Sequence, residues 1–349
     1  MEANAVDRDD ASEEARVLPL ALFAVEHNSK KRLLFDVSSG NIRGITSALF
    51  PDAFVEFESC GWLLMVRHKP FHFQEQVVFL VHPSTGRRID MPVLRSPDKC
   101  YFVFYADPRR GSGTPLVVAC IQIMSVVPTV HVACPGDVYW CVHKHTCQLH
   151  LSEAMCRSFH NTLIMDVALV GTQAVCAEFL GQILIFDITE MTWRAASCPE
   201  WSIQDAHYLV ASVGKVVIVS CPRASAFKFL QLDMEALAWS PLDDQELEDT
   251  SWFLSKGQSI RVKEEGRRKV YTFHPRGRGN LETESSDGWT ITSGSATLKT
   301  ITNIYAYDLV AGTVETVIPA SIVTEVSCWV RPSTFATPKQ NNILSVRSP

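Results

Sequence analysis

Residues 59–93 read SCGWLLMVRHKPFHFQEQVVFLVHPSTGRRIDMPV and contain one complete unit of a repeat. Within this segment, residues 61–66 and 77–81 are apolar and rich in β-forming side chains. The turn sequence PSTG at residues 83–86 separates the second apolar run from Ile89. The order strand, loop, strand, tight turn, strand is typical of a β-meander. The segment therefore predicts antiparallel β-structure.

The same pattern recurs along the chain in six degenerate copies. Each copy has a short apolar strand, an anchor residue, a few turn residues and a large apolar residue six positions after the anchor. The six anchors and their partners are Asp36 and Ile42, Pro83 and Ile89, Cys134 and Trp140, Asp187 and Trp193, Asp233 and Trp239, and Asp308 and Val314. Successive anchors lie 47, 51, 53, 46 and 75 residues apart, and propeller blades of four strands need about 40 to 50 residues. The spacing predicts an all-β fold, a β-propeller with six blades of four antiparallel strands.

Two alternatives remain open for the fold. The long last spacing allows a seventh blade, but its excess falls in a polar segment, residues 276–299, which we interpret as a surface loop. The six hairpins could instead be unrelated and belong to a β-sandwich or to two small β-domains. A sandwich of about 100 residues leaves most of the 349 residues unexplained, whereas a ring of blades buries both faces of every sheet.

Charge and composition predict one domain with short flanking segments. Residues 1–16 carry six acidic and two basic residues and predict a disordered acidic segment. Because no Pro/Gly/Ser-rich linker divides the rest, we expect a single propeller over 17–335 and a flexible tail over 336–349. The net charge of −6 argues against a nucleic-acid partner, and we interpret the basic run 267–269 as a solvated turn.

The sequence predicts a cytoplasmic or nuclear protein that does not span a membrane. The acidic start fits neither a secretory signal nor a transit peptide. Residues 115–135 are apolar but are interrupted by polar side chains, so two buried strands explain them better than a span. Eleven cysteines, an odd number, indicate a reducing compartment, and Cys120, Cys176 and Cys221 are expected to be buried thiols.

One segment contains side chains that could bind a metal. It is CVHKHTCQLH, with candidate ligands Cys141, His143, His145, Cys147 and His150. Alternating residues on one straight strand span roughly 20 Å at about 3.3 Å per residue, far more than a zinc coordination sphere. We therefore expect hairpin residues without a bound metal or cofactor and predict no catalytic residues. A metal-dependent or hydrolytic enzyme that uses this segment is the alternative function.

Loops are the candidate binding elements of such a scaffold. Residues 108–114 and 276–299 are rich in turn-forming and polar residues, and we expect them to form the contact surface. Trp289 within the second loop is either an interface anchor or a residue that fixes the loop. The shared register of the tryptophans at positions 140, 193 and 239 favours a structural role between blades.

Several segments in this order resemble the plant F-box-associated β-propeller family, a kelch-like domain of ubiquitin-ligase adaptors. They are SCGWLLMV (59–66), HPSTGRRIDMP (82–92), PGDVYW (135–140), SFHNTLIMDV (158–167), HYLVASVGKVVIV (207–219), FLSKGQSIRV (253–262) and CWVRPSTF (328–335). The resemblance implies a propeller that selects protein substrates, in adaptors whose F-box binds the Skp1 subunit of a cullin ligase. Residues 1–16 lack the apolar helical periodicity of an F-box. We therefore expect a non-catalytic protein-interaction propeller, in a free-standing or decoy form, and do not expect association with Skp1 and cullin.

Overall fold

The structure is a computed structural model of the chain. It describes residues 18–24, 31–46, 53–69, 72–96, 99–107, 113–125, 127–145, 162–222, 226–264, 266–273, 300–302, 304–318, 322–324 and 327–335. These residues form an all-β, six-bladed propeller in which each blade is a small sheet of four or five strands. The predicted fold class and blade number are therefore confirmed.

The strands of blades 1 to 3 are given from the propeller axis outward. Blade 1 contains β29 (Ser327–Val330), β1 (Leu20–Ala24), β2 (Lys31–Asp36) and β3 (Ile42–Thr46). Blade 2 contains β4 (Phe54–Ser59), β5 (Trp62–Lys69), β6 (His72–His82) and β7 (Arg87–Asp90), and β8 (Leu94–Arg95) pairs with β6. Blade 3 contains β9 (Cys100–Ala106), β10 (Pro115–Gln122), β12 (Thr129–Ala133) and β13 (Cys141–Lys144).

Blades 4 to 6 continue in the same direction. Blade 4 contains β14 (Thr162–Val170), β15 (Gln173–Glu178), β16 (Gln182–Asp187) and β17 (Thr192–Ser197), and β11 (Met124–Ser125) pairs with β14. Blade 5 contains β18 (Ala206–Ser212), β19 (Lys215–Cys221), β20 (Lys228–Asp233) and β21 (Trp239–Pro241). Blade 6 contains β23 (Ile260–Lys263), β22 (Thr250–Leu254), β24 (Lys269–Thr272), β26 (Tyr305–Asp308) and β27 (Val314–Thr316). The remaining elements are a small sheet of β25 (Thr300–Thr302) and β28 (Ile322–Thr324), a short helix α1 (Asp244–Leu247) and a 3-10 turn (Pro332–Phe335).

The outermost strand of each blade is much more exposed than the strands inside it. All five residues of β12 are buried, and only one residue of β16 at each end is not fully buried. Strands buried on both faces read as continuous apolar runs, as the sequence of β16, QILIFD, illustrates. The outermost strand β7, RRID, has three exposed residues out of four. The core therefore lies between the blades and towards the axis.

The ring is closed by pairing the two ends of the described chain. In blade 1, β29 pairs antiparallel with β1, and Leu20 lies opposite Val330. Trp329 on β29 is fully buried, and its Nε1 donates a hydrogen bond to the carbonyl oxygen of Leu254 in blade 6 at 3.1 Å. A blade built from both ends of the chain closes the ring without a covalent link.

Blade 6 departs from the simple meander of the other blades. Its strands β22 and β24 are parallel, and β23 forms a hairpin with β22 on the axis side. A parallel bridge between Val210 and Ser259 gives β23 the same direction as β18 of blade 5. The hairpin that joins β22 to β23, residues 255–259, is therefore directed towards the propeller axis.

The hairpin turns of the blades define two faces of the propeller. Consecutive strands of a meander are antiparallel, so the turn after the first strand and the turn after the third strand lie at the same end. We call this end the turn face and the opposite end the loop face. An added Cβ on Gly113 of blade 3 would lie 3.1 Å from the Cβ of Cys60 in blade 2, which places these two turns side by side on the turn face.

Strand pairing tests the predicted register of the six anchors. In four blades, the residue before the anchor pairs with the residue six positions after it. These pairs are Phe35 with Ile42, Phe186 with Trp193, Leu232 with Trp239, and Tyr307 with Val314. Blade 2 differs by one residue, because His82 pairs with Arg87 just as Asp187 pairs with Thr192. Proline favours the second position of a β-turn. In blade 2 the anchor position is therefore occupied by His82, and Pro83 follows it.

The apolar run at residues 115–135 forms the two largely buried strands β10 and β12, as predicted, and also the two-residue strand β11 between them, which is not buried. Cys120, Cys176 and Cys221 are buried thiols, also as predicted. In the part of the chain that the structure describes, no helix is long and apolar enough to cross a bilayer. The predicted boundaries at residues 16 and 336 border the described residues and stay predictions.

Candidate functional site

Asp166 is a fully buried carboxylate on β14, the inner strand of blade 4. Its Oδ1 accepts hydrogen bonds from the backbone N–H groups of Val167 at 2.9 Å and Gly257 at 2.7 Å, and its Oδ2 accepts from Leu209 N–H at 2.8 Å. Leu209 belongs to blade 5 and Gly257 to blade 6, so one carboxylate joins three blades. Burial raises the pKa of Asp166, whereas nearby Lys256 and the three N–H donors favour the ionised form.

Residues 255–259, which we call the axial hairpin, contact blades on opposite sides of the axis. Lys256 donates from Nζ to the carbonyl oxygen of His207 in blade 5. Gln258 donates from Nε2 to the carbonyl oxygen of Glu58 at 2.6 Å and accepts at Oε1 from Glu58 N–H at 2.7 Å. Because Glu58 belongs to blade 2, the axial hairpin joins blade 2 to blade 5.

Gly257 permits this close approach of backbone to blade 3. Its φ is +79°, and a Cβ there would lie 3.3 Å from Cδ1 of Tyr101. The Tyr101 hydroxyl in turn donates to the carbonyl oxygen of Met165 at 2.9 Å, which holds the ring in place. A side chain at position 257 would be strained by both the backbone conformation and this ring.

Glu58 also connects blade 2 to blade 1. Its Oε2 lies 3.2 Å from Nη1 of Arg331, which follows β29. The Glu58 side chain is buried and the Arg331 side chain is half-exposed, so the ion pair extends from the interior to solvent. Burial raises the pKa of Glu58, and the Arg331 guanidinium acts in the opposite sense.

His207 is a buried, neutral imidazole on β18. Its Nε2 lies 2.6 Å from the carbonyl oxygen of Ser202, which can only accept, so Nε2 carries the proton. Its Nδ1 lies 2.8 Å from Oγ of Ser220 and accepts from that hydroxyl. The ring stacks on Trp201 with centroids 3.8 Å apart. Burial lowers the pKa of His207 from 6.5 to about 4.

Glu56, on the inner strand of blade 2, has the opposite pKa shift. It lies at a β-bulge of β4, between Val55 and Phe57. Burial raises its pKa from 4.5 to about 7, and Lys99 opposes this rise. A group whose folded-state pKa is raised stabilises the fold below its unfolded pKa, and that stability is lost as pH rises through the folded value.

We expect Glu56→Gln to stabilise the protein above pH 7 and to change little at pH 4.5. Ionised Glu56 lowers the unfolding free energy progressively between pH 4.5 and 7. His207 has the opposite effect, because its depressed pKa lowers stability as pH falls from 6.5 towards 4. In the wild-type protein, Glu56 and His207 therefore change the unfolding free energy in opposite directions as the pH rises, and Glu56→Gln removes the contribution of Glu56. Urea unfolding of the variant should show a gain of about 1 to 3 kcal/mol at pH 8.

Exposed Glu248→Gln is the matched control for this experiment. It should change the unfolding free energy by about 0.5 kcal/mol or less at either pH, the usual size for an exposed substitution. A Glu56→Gln effect of the same size at pH 4.5 and pH 8 would contradict the assigned pKa shift.

The hairpins that precede the outermost strand of blades 1, 4, 5 and 6 have a common construction. In each, an aspartate Oδ1 accepts from backbone N–H groups of its own turn, an arrangement that fixes the turn. These aspartates are Asp36, Asp187, Asp233 and Asp308. Hydrogen bonds from the backbone of Ala236 and Glu235 hold the pKa of Asp233 below its ordinary value, so it is ionised at neutral pH.

Apolar side chains project from several tips of the turn face. Val138 is 88% exposed and Tyr139 is 72% exposed, both in the hairpin between β12 and β13. Val213, between β18 and β19, is 97% exposed, and Val310, after β26, is 78% exposed. Among the described residues of the loop face, the most exposed large apolar side chains are those of Val93, Met124 and Ile203, at 43% to 51%. Over the described residues, the exposed tips of the turn face are therefore the more apolar.

The structure describes only part of the predicted metal-binding segment. Cys141 is exposed, His143 lies 5.6 Å from the ring centroid of Phe186, and His145 stacks on Trp193 at 5.1 Å. Residues 146–150, with Cys147 and His150, lie outside the described residues. Over the described ranges, no group of three or more His, Cys, Asp or Glu side chains is arranged to hold a metal ion.

The two predicted binding loops begin on opposite faces of the propeller. Residues 108–112 and 276–299, including Trp289, lie outside the described residues. Asp107 and Gly113 border the first loop at the turn face, and Phe273 follows the end of β24 at the loop face. Strand β24 ends at the loop face because it is parallel to β22, which is antiparallel to the inner strand β23. The prediction that the two loops form one contact surface stays a prediction, because the loops themselves lie outside the described residues.

The basic run at residues 267–269 is paired with acidic side chains. Arg267 contacts Glu264 at 2.7 Å, and Lys269 contacts Glu315 at 2.9 Å. Arg268 lies 3.6 Å from Asp244. These ion pairs agree with the predicted solvated turn.

The tryptophans at positions 140, 193 and 239 pack against core clusters between blades, as predicted. The axial residues, in contrast, were missed by the sequence reasoning. A signal was present, because a buried aspartate interrupts the apolar strand TLIMDVALV and a glycine lies within FLSKGQSIRV. Neither segment alone shows which blades Asp166 and Gly257 connect.

The fold and the axial network define a six-bladed β-propeller whose blades are held together by buried polar contacts. The model of the KIB1-4 β-propeller family matches residues 34–313, and the chain belongs to that family. The match supports a β-propeller family and leaves the resemblance to plant F-box-associated domains unconfirmed.

Comparison with curated proteins gives no match. Among solved structures, the chain is similar to TolB from Acinetobacter baumannii, with 13% identity and a TM-score of 0.45, over 89% of this chain and 66% of that one. The chain thus spans slightly less than two thirds of TolB. It is also similar to a putative 6-phosphogluconolactonase from Bacteroides uniformis, with 13% identity and a TM-score of 0.47, over 89% of this chain and 99% of that one.

Proposed function

We propose that this chain is a non-catalytic protein-interaction propeller of the cytoplasm or nucleus. The proposed function resembles that of the substrate-recognition domain of plant F-box adaptors. One observation carries the proposal: four strongly exposed apolar side chains, Val138, Tyr139, Val213 and Val310, lie at hairpin tips of the same face. Exposed apolar and aromatic side chains on a rigid frame are typical anchors of protein interfaces.

The axial contacts support this function by making the frame rigid. Hydrogen bonds of Asp166, Gln258 and Glu58 hold five blades in a fixed relation. Anchors on a pre-organised surface lose less conformational freedom on binding than anchors on a mobile one. The turn face is therefore well suited to hold several contact points at fixed distances.

We expect the triple variant Val138→Ser, Tyr139→Ser and Val310→Ser to fold normally and to lose its protein partners. Replacement of strongly exposed side chains changes stability by about 0.5 kcal/mol or less per site. Removal of an aromatic anchor from an interface weakens binding by about tenfold or more. Tagged wild type and variant should be compared by quantitative affinity purification from plant cells, with Skp1 and cullin recovery measured in the same samples.

The matched control is the loop-face triple variant Val93→Ser, Met124→Ser and Ile203→Ser. A protein that is recovered with wild type and with this control, but not with the turn-face variant, supports the proposal. Equal recovery with all three proteins would overturn the turn face as the docking surface. Recovery of Skp1 and cullin in near-stoichiometric amounts would contradict the expectation that the chain does not associate with them.

A further inference from the structure

A cleft opens on the turn face between blades 4 and 5. It has a volume of about 680 Å³ and is lined from both blades, by the turns after β16, β18 and β20. Arg194 of blade 4 spans the base of the cleft. Its Nη2 donates to Oε1 of Gln173 at 3.0 Å and to the carbonyl oxygen of Met234 in blade 5, also at 3.0 Å. This bridge keeps the cleft formed without a ligand.

The lining of the cleft carries an excess of negative charge. Four carboxylates, those of Asp187, Glu190, Asp233 and Glu235, face two cations, Arg194 and Lys215. Both cations already have neutral acceptors, since Arg194 is held as above and Lys215 donates from Nζ to Oε1 of Gln231 at 3.2 Å. Lys215 also helps to lower the pKa of Asp233, although no direct ion pair within the described residues joins either cation to a carboxylate of the cleft.

The carboxylates differ in how they are held. Asp187 is fixed within its turn, where its Oδ2 also accepts from Oγ1 of Thr172 at 2.8 Å. The side chains of Glu190 and Glu235 are exposed and have no hydrogen-bond or ion-pair partner in the described structure. Val213 adds an exposed apolar wall at the rim. A ligand can therefore meet two unpaired carboxylates and an apolar surface in one pre-formed cleft.

We infer that the cleft between blades 4 and 5 binds an arginine- or lysine-bearing segment of the partner protein. The cationic end group lies between the carboxylates of Glu190 and Glu235, and the aliphatic stem of the side chain packs against Val213. Long basic side chains combine an apolar stem with a charged end, which matches this lining. The inference rests on the proposed interaction function and specifies the chemistry of its partner.

A set of fluorescein-labelled nonapeptides tests this assignment by fluorescence anisotropy with the full chain. The peptides alternate leucine with arginine, with glutamine or with glutamate. We expect the arginine peptide to bind most tightly and its affinity to fall with added salt. The double variant Glu190→Gln and Glu235→Gln should weaken its binding about threefold to tenfold, the size expected for two exposed ion pairs.

The double variant Glu246→Gln and Glu248→Gln, beside blade 6, changes the net charge by the same amount and is the control. Weakening by the cleft variant alone supports the inference. Equal weakening by both double variants, or equal binding of the arginine and glutamine peptides, would overturn it. If partner recovery is lost with the turn-face triple variant but is unchanged with the cleft variant, the interaction function stands and the cleft assignment fails. If no variant alters recovery, the proposed function itself fails.

Discussion

Asp166→Ala is expected to lower the unfolding free energy by about 3 to 5 kcal/mol, the range for removing one partner of a buried charged network. The carboxylate accepts three backbone N–H groups, from Val167, Leu209 and Gly257. Alanine leaves these donors buried without acceptors, and each such loss costs about 1 to 3 kcal/mol. It also leaves the nearby Lys256 without an anionic neighbour. The expected loss of unfolding free energy is therefore larger than for a buried aspartate whose hydrogen bonds stay within one strand.

Asp166→Asn separates the loss of charge from the loss of hydrogen bonds. The amide keeps one acceptor oxygen but presents an NH2 group to one set of donors, so we expect an intermediate loss. Urea unfolding and amide hydrogen exchange should be measured for both variants, with Glu248→Ala as the exposed control. Exchange at Leu209 and Gly257 should increase more than exchange in blade 2. An Asp166→Ala loss below about 1 kcal/mol, the size of an ordinary hydrogen bond, would show that the carboxylate does not brace the blades.

The repeated hairpins could be predicted because their information is local. Asp187, Asp233 and Asp308 each fix a turn through their own neighbouring N–H groups, so the turn chemistry recurs in the sequence with the blade spacing. The one-residue difference in blade 2 arises where this chemistry changes. In blade 2, His82 stands at the position of the aspartate and Pro83 follows it. Ile89, the apolar residue that marks this copy of the repeat in the sequence, lies one position beyond the common register.

The axial network could not be predicted because its partners are distant in sequence. The hydrogen bond between Asp166 and Gly257 joins residues 91 positions apart, and those between Glu58 and Gln258 span 200 positions. Such contacts depend on ring closure, which brings the inner strands together. The parallel pairing of β22 and β24 was also missed. In a meander, neighbouring strands of the sheet are expected to be antiparallel, whereas here β23 lies between the two strands in sequence and not in the sheet.

The candidate metal-binding segment shows how residues that are close in sequence can have separate contacts in the fold. Cys141, His143 and His145 follow one another at every second residue. The structure directs His143 towards Phe186 and His145 onto Trp193, so each of these imidazoles has an aromatic neighbour in blade 4. A spacing of two residues places side chains on one face of a strand, and here the two histidines on that face contact blade 4.

Trp329→Ala is expected to lower the unfolding free energy by about 3 to 5 kcal/mol, the usual range for deleting a buried tryptophan side chain. Trp329 is fully buried, stacks on Phe273 at 4.5 Å and lies edge-to-face with Phe253 at 5.0 Å. Its indole N–H also bonds to Leu254. Because Trp329 belongs to the strand that closes blade 1 with β1, the cavity weakens the one blade that has no continuous chain through it.

The matched control is Trp140→Ala in blade 3, which removes a partly buried indole that donates to the carbonyl oxygen of Pro92 at 2.8 Å. The same side chain is deleted there, and one hydrogen bond to another blade is lost, but the chain between blades 2 and 3 is continuous. We expect a loss of about half the Trp329→Ala value, since less apolar surface is involved. Hydrogen exchange should locate the effect, with β1 and β29 losing protection in Trp329→Ala and keeping it in Trp140→Ala. If β1 and β29 stay protected in both variants, Trp329 contributes to the core without controlling closure of the ring.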